Sequence, residues 1–252
     1  MTTIKAFING HAVLTYFALA FAISWGGVLV IIGGIAGIPG TPEETTTLFP
    51  VVYLATVAGP SLTSILMVGL VAGREGYREL FSRLLRWRVS ARWYAVALLA
   101  SPLSVIATLL TLSLLSPAFL PGFLRMSDGA SAPGALATPF GVVVGVAVVT
   151  GFLEELGWTG FAIPRLRPRY GVLATGLLVG LLWGAWHFVS NVWASNPEPV
   201  PIALFMAALL FSFLPPYRVL MVWVYDRTGS LLVAMLMHAS LVTFWLISTP
   251  PG

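Results

Sequence analysis

Charge is scarce in this chain: only 9% of its 252 residues are Asp, Glu, Lys or Arg, against about a quarter in an ordinary soluble domain. With 58% hydrophobic residues and a mean hydropathy of +0.93, a soluble globular fold is excluded. Cysteine is absent, which removes disulfides and thiolate metal sites. Lys5 is the single lysine, so the basic excess and the pI near 9.8 are made by arginine. In a soluble chain that excess would suggest nucleic acid; in one this apolar it is read as a membrane-topology signal, and no nucleic-acid partner is expected. Histidine occurs only as His11, His187 and His238, and the His-Glu-x-x-His helix motif of soluble zinc proteases is missing.

What is present is a series of apolar runs. About 20 helical residues cross about 30 Å of hydrocarbon, and seven stretches qualify: 11–36, 50–72, 93–116, 139–162, 171–193, 200–224 and 230–248. The expected fold is all-α, a polytopic transmembrane bundle forming one domain over residues 1–252. Pro215-Pro216 with Arg218 interrupts the sixth span, which would make eight elements if it counts as two pieces. The first span is too long for a removable signal peptide. Segments 37–42 and 117–139, bearing Pro and Gly, are read as loops outside the membrane.

Arg74, Arg78, Arg83, Arg86, Arg88 and Arg92 fill the connection after span two, and Arg165, Arg167 and Arg169 the one after span four. The other loops carry Glu43, Glu44, Arg125, Asp128 and Glu198. This alternation predicts a cytoplasmic N-terminus in a cell membrane, and the Arg-, Ala- and Gly-rich composition suggests a prokaryotic inner membrane. Within 74–88, Tyr77, Leu80, Phe81, Leu84 and Leu85 recur at helical spacing between arginines, which predicts an amphipathic helix in the cytoplasmic interface.

Four ionisable side chains lie inside the apolar runs: Glu154, Glu155, His187 and His238. Ionisable groups cost several kcal/mol in hydrocarbon, so such a set marks a functional site. Adjacent on a helix, Glu154 and Glu155 diverge by about 100°, which predicts that they do not face one partner. One would react while the other anchors. Trp183 and His187 are spaced i, i+4 on a span whose Gly176, Gly180 and Gly184 permit close helix approach. Glu154 lies eleven residues before Arg165 and His238 eleven after Arg227, so both sit about 16 Å above the basic boundary. His187 would sit about 10 Å farther out on a straight helix, so a late helix start near Ala174, a tilt or a bend must absorb the difference. Trp183 and Trp186 read as packing aromatics, and His11 as uninvolved.

Two chemistries fit. Glu154 could activate water while the imidazoles polarise a carbonyl and stabilise an oxyanion. Alternatively, Glu154, His187 and His238 are a competent zinc set with one open position, leaving Glu155 as base; with no further ligand apparent, the metal-independent reading is preferred.

The run Glu154-Glu155-Leu156-Gly157-Trp158, the Trp183-to-His187 spacing and Tyr225-Asp226-Arg227-Thr228-Gly229-Ser230-Leu231 before His238 resemble, in that order, the CPBP intramembrane proteases, also called the ABI or CAAX prenyl endopeptidase family. The resemblance covers residues 140–245, the expected catalytic core. It implies an endopeptidase acting on a membrane-associated protein or peptide, with Glu154 as base and His187 and His238 completing the site. Two positions depart from the family pattern. Thr159 stands where an Arg usually follows the second Glu, which predicts that Glu155 lacks its partner. Val242 stands where a polar residue usually follows the third-motif His, so an oxyanion donor would have to come from elsewhere, and Asn191 is the alternative. A catalytically silent relative, serving as membrane scaffold, bacteriocin-immunity-type factor or ligand carrier, is the competing reading; a proton-coupled transporter is a third, without the broken repeated helices that would point to one.

Overall fold

The computed structural model describes residues 3–114, 120, 140–195 and 208–248. Among these, the ordered elements are helical: α1 (Thr3–Gly10), α2 (Ala12–Ile31), α3 (Pro42–Leu84), α4 (Ala91–Ser113), α5 (Phe140–Gly157), α6 (Ile163–Leu166), α7 (Val172–Trp186), α8 (Phe188–Ala194), α9 (Leu214–Thr228) and α10 (Leu231–Ser248). A wide π-turn, Trp158–Ala162, joins α5 to α6, and another, Ala208–Phe213, precedes α9. The expected all-α bundle is what forms.

Of the seven expected spans, five are helices long and apolar enough to cross a membrane: Ala12–Ile31, Pro42–Leu84, Ala91–Thr111, Phe140–Leu166 and Val172–Ala194. The seventh is a shorter apolar helix, Leu231–Ile247. The start of the sixth, residues 200–207, lies outside the described residues, as do Arg125, Asp128, Glu198 and nearly all of the 117–139 segment. Pro215 and Pro216 stand in the first turn of α9, directly after the π-turn Ala208–Phe213, a position that suits proline. Glu43 and Glu44, expected in a loop, form the first turn of α3. Thr41 accepts from the Glu44 backbone N–H at 3.2 Å while Glu44 Oε2 accepts from the Thr41 N–H at 2.9 Å, a reciprocal cap that starts the helix eight residues before the predicted span.

α3 bends at Gly73, whose φ of 59° and ψ of −144° suit a residue without Cβ. Beyond the bend, Arg74–Leu84 is the predicted amphipathic helix, with one correction to its faces. Leu80 is buried, but Phe81 and Leu85 point outward, while Arg83 turns inward and donates to the Tyr225 hydroxyl at 2.9 Å. That inward arginine draws the three basic segments into one layer: Ser230 Oγ donates to the Arg86 carbonyl at 2.6 Å, and Arg167 pairs with Asp226 through Nε at 2.9 Å and Nη2 at 2.6 Å. At the opposite end of the bundle the Gly40 N–H donates to the Trp193 carbonyl at 3.0 Å.

Close helix contacts explain the glycines. A Cβ on Gly180 would lie 2.6 Å from Pro215 Cα and 3.1 Å from Arg218 Cβ, and one on Gly151 would lie 2.6 Å from the Met235 carbonyl oxygen. These approaches pack α7 on α9 and α5 on α10, so the motif-bearing helices meet backbone to backbone.

Candidate active site

Glu154 and Glu155 end α5 just before the π-turn, a local widening that often accompanies functional sites. Both are buried, at 2% and 0% exposure. Glu155 is fully partnered. Arg218 Nη1 donates to both of its carboxylate oxygens at 2.8 Å, the Thr159 hydroxyl donates to Oε2, and His238 Nδ1 lies 2.7 Å from Oε1. A carboxylate only accepts, so the proton of this bond sits on His238 Nδ1 and leaves Nε2 as the free nitrogen.

That free nitrogen faces Glu154, with His238 Nε2 and Glu154 Oε1 3.9 Å apart. The other oxygen of Glu154, Oε2, accepts from two indoles, Trp183 Nε1 at 2.7 Å and Trp158 Nε1 at 3.3 Å. The expectation that neighbouring glutamates could not address one partner is therefore corrected. They diverge along the helix, but the His238 ring reaches between them and offers a different nitrogen to each.

A second correction concerns Glu155. Thr159 does not leave it unpartnered, because Arg218 reaches it from α9, fully buried. Arg218 also lies over the Trp183 ring, 4.1 Å from its centroid, a favourable contact for a buried cation. Its Nε and Nη2 have no hydrogen-bond acceptor among the described residues. Trp183, read as a packing residue, is the hub of the site: it bonds Glu154, stacks under Arg218, and sets its edge against both His187 and His238, at 5.6 and 5.2 Å between centroids.

His187 sits where α7 stops. Its backbone N–H bonds to the Gly184 carbonyl, φ is −69° and ψ −11°, and α8 starts at the next residue. Of the ways to reconcile its depth, a late helix start does not occur, since α7 begins at Val172. His187 Nδ1 is 2.8 Å from the Trp183 carbonyl, so it too carries its proton on Nδ1 and offers a lone pair at Nε2. It lies within electrostatic reach of Glu154 and His238.

Glu154, His187, His238 and Asn191 line one cavity of about 910 Å³, together with Tyr53, Thr150 and Ser190. The Tyr53 hydroxyl bonds to Thr150 Oγ1, which itself donates to the Val146 carbonyl at 2.7 Å. Tyr53 is therefore the donor of that bond, one helical turn from Glu154. Glu155 and Arg218 lie behind this lining. His11 stacks on Phe7, at 4.6 Å between centroids, away from the cavity residues.

Both histidines have the tautomer that metal-binding imidazoles adopt when their Nδ1–H is anchored. Their positions do not complete a ligand set: among the described residues no group of three His, Asp or Glu is arranged to hold a metal ion.

Arg218, Trp183 and Tyr53 were not singled out from the sequence as site residues. Arg218 had a signal, a cation inside an apolar run, but beside Pro215-Pro216 it read as the end of a broken helix. Tyr53 had none that distinguishes it from a packing aromatic, and Trp183 had only its i, i+4 spacing to His187.

Residues 136–244 match the family described as type II CAAX prenyl endopeptidase Rce1-like. Over 196 residues, 76% of this chain and 70% of the other, the sequence is 22% identical to "CAAX prenyl protease 2" of Methanococcus maripaludis. Both findings support the family that the motifs indicate, the CAAX-type CPBP proteases, to which this chain is similar.

Proposed function

We propose that the protein is an intramembrane endopeptidase of the CAAX-protease type, which hydrolyses a peptide bond in a membrane-associated polypeptide with Glu154 as general base. The observation that carries this is Glu154 on the cavity wall with Oε1 accepting no hydrogen bond among the described residues and lying 3.9 Å from His238 Nε2. Water donating to Oε1 gives up a proton as its oxygen attacks the scissile carbonyl. His238 Nε2, held in place by the Glu155 bond at Nδ1, is positioned to take that proton and pass it to the leaving amine.

The tautomers refine the role expected of the imidazoles. With Nδ1–H engaged by the Trp183 carbonyl, neutral His187 accepts at Nε2 and has no donor for an oxyanion. The Asn191 carboxamide, on the same wall of the cavity, is a neutral donor for that charge, and it stands in for the polar residue absent at Val242. None of these steps requires zinc, and among the described residues Glu154, His187 and His238 are not grouped as a ligand set. Support for a silent relative weakens correspondingly: Thr159 is offset by Arg218, and Val242 by Asn191.

The test is purified protein in detergent, challenged with a library of membrane-associated peptides and assayed for bound zinc. Cleavage that persists after chelation and disappears in Glu154→Gln supports the proposal. Equal cleavage by wild type and Glu154→Gln removes Glu154 from the mechanism.

A further inference from the structure

The two helices that carry Glu154 and His238 also form a groove on their other faces. α5 contributes Val148 and Phe152, α10 the stretch from Leu232 to Ala239, and the end of α3 with Trp87 closes it at the arginine layer. The groove holds about 340 Å³, every residue in its wall is aliphatic or aromatic, and it shares none of them with the cavity at Glu154. A Cβ on Gly151 would lie 2.6 Å from the Met235 carbonyl oxygen and 3.2 Å from the Ala239 nitrogen, so α5 and α10 meet backbone to backbone and leave no passage between groove and cavity. Along α10 the wall covers about 10 Å of helix axis, starting beside Ser230, whose hydroxyl donates to the Arg86 carbonyl at 2.6 Å, and leading away from the arginines.

The end of the groove at that layer is cationic. Arg86 and Arg88 flank Trp87, and all three side chains are exposed. The Arg86 guanidinium lies against Gly229, where a Cβ would come within 2.7 Å of Nη1, and the Arg88 guanidinium lies over the Trp87 ring, 5.0 Å from its centroid. Arg83 and Arg167 of the same layer are paired with Glu79 and Asp226. Arg86 and Arg88 have no ion pair among the described residues.

We propose that this groove binds an anionic phospholipid of the bilayer, with one acyl chain lying between α5 and α10, Trp87 at the level of the interface and the phosphate on Arg86 and Arg88. An apolar wall alone would accept any chain; two unpaired guanidinium groups at one end select a negative headgroup, and basic pockets beside membrane helices hold such lipids. An indole at that level suits the boundary between headgroup and hydrocarbon. A polypeptide fits the groove poorly, because its backbone N–H and C=O groups would meet a wall without polar partners. The inference goes beyond the endopeptidase reading and does not depend on it: the lipid braces the pair of helices on which Glu154 and His238 are mounted, from the side away from the cavity.

The test is native mass spectrometry of the protein in detergent, incubated with equimolar phosphatidylglycerol and phosphatidylcholine bearing identical chains. The expected result is preferential retention of phosphatidylglycerol by the wild type, with the ratio falling about 5-fold for each arginine removed, first in Arg88→Gln and again in Arg86→Gln/Arg88→Gln. Val148→Trp, which fills the groove from an exposed position and leaves both arginines in place, should lower retention of both lipids. Arg88→Gln alters a surface side chain only, so its readout stands even where Arg86→Gln disturbs the contact with Gly229. Equal retention of the two lipids by the wild type, a ratio unchanged in Arg88→Gln, or undiminished retention by Val148→Trp overturns the proposal. So does displacement of phosphatidylglycerol by inorganic phosphate, which would mean that the arginines hold a phosphate with no chain in the groove, or a dimer that excludes lipid, which would give the groove to a second copy. None of these readouts uses turnover, so failure of the endopeptidase reading would show separately, as equal cleavage by Glu154→Gln and wild type.

Discussion

Glu154 and Glu155 are the same residue type, adjacent in sequence and equally buried, yet they occupy two different environments. Around Glu155 the partners are a guanidinium, a hydroxyl and an imidazole: Arg218 at 2.8 Å to both oxygens, Thr159, and His238 Nδ1 at 2.7 Å. Around Glu154, which lines the cavity, the donors are two neutral indoles on one oxygen, and the second accepts no hydrogen bond among the described residues. The difference teaches that role here is assigned by what the neighbouring helices bring. An anchored carboxylate orients an imidazole; one with an unengaged oxygen can take a proton.

Exchanging the two carboxylates for amides is the strongest way to break this comparison. Glu154→Gln keeps the side-chain shape and the indole acceptor but loses the base, so kcat should fall by about 10²–10⁴-fold with the melting temperature in detergent unchanged. Glu155 should behave in the opposite manner through its ion pair. Arg218→Gln leaves an unpaired buried carboxylate and should cost about 3–5 kcal/mol of stability, measured by denaturant unfolding in detergent. Adding Thr159→Arg to Arg218→Gln returns a cation one turn from Glu155 and should recover most of that loss; no recovery would mean that Arg218 acts through packing alone. Trp183→Phe keeps the ring beneath Arg218 but removes the indole N–H, and should cost about 1–3 kcal/mol, with kcat reduced more than KM is raised. The smallest effect belongs to the partly exposed pair Arg167–Asp226, where Asp226→Asn should cost no more than about 1 kcal/mol.

Much of this was legible before the fold was known. Glu154, His187 and His238 stood out because ionisable groups in apolar runs need a reason, and the depth of Glu154 and His238 counted from the arginines already matched. The amphipathic segment after Gly73 was visible from its spacing, although the inward turn of Arg83 was not, because period alone does not say which polar residue finds a buried hydroxyl. Arg218 was misjudged for a physical reason: proline pairs both end and begin helices, and only the packing of α9 on α7 through Gly180 shows that this one begins a helix and carries its arginine inside. The shared imidazole was hidden for another, since angular separation of two side chains on one helix says nothing about a ring long enough to reach both.

The central claim is that one imidazole bridges an anchoring carboxylate and a reactive one. The ¹⁵N resonances of His238, in protein labelled at histidine and assigned by the His238→Gln variant, test it most directly at neutral pH. The account predicts a neutral ring protonated at Nδ1 in a strong hydrogen bond, with Nε2 unprotonated, and loss of that tautomeric preference in Glu155→Ala. A ring protonated at Nε2 in the wild type, or one unchanged by Glu155→Ala, would contradict it.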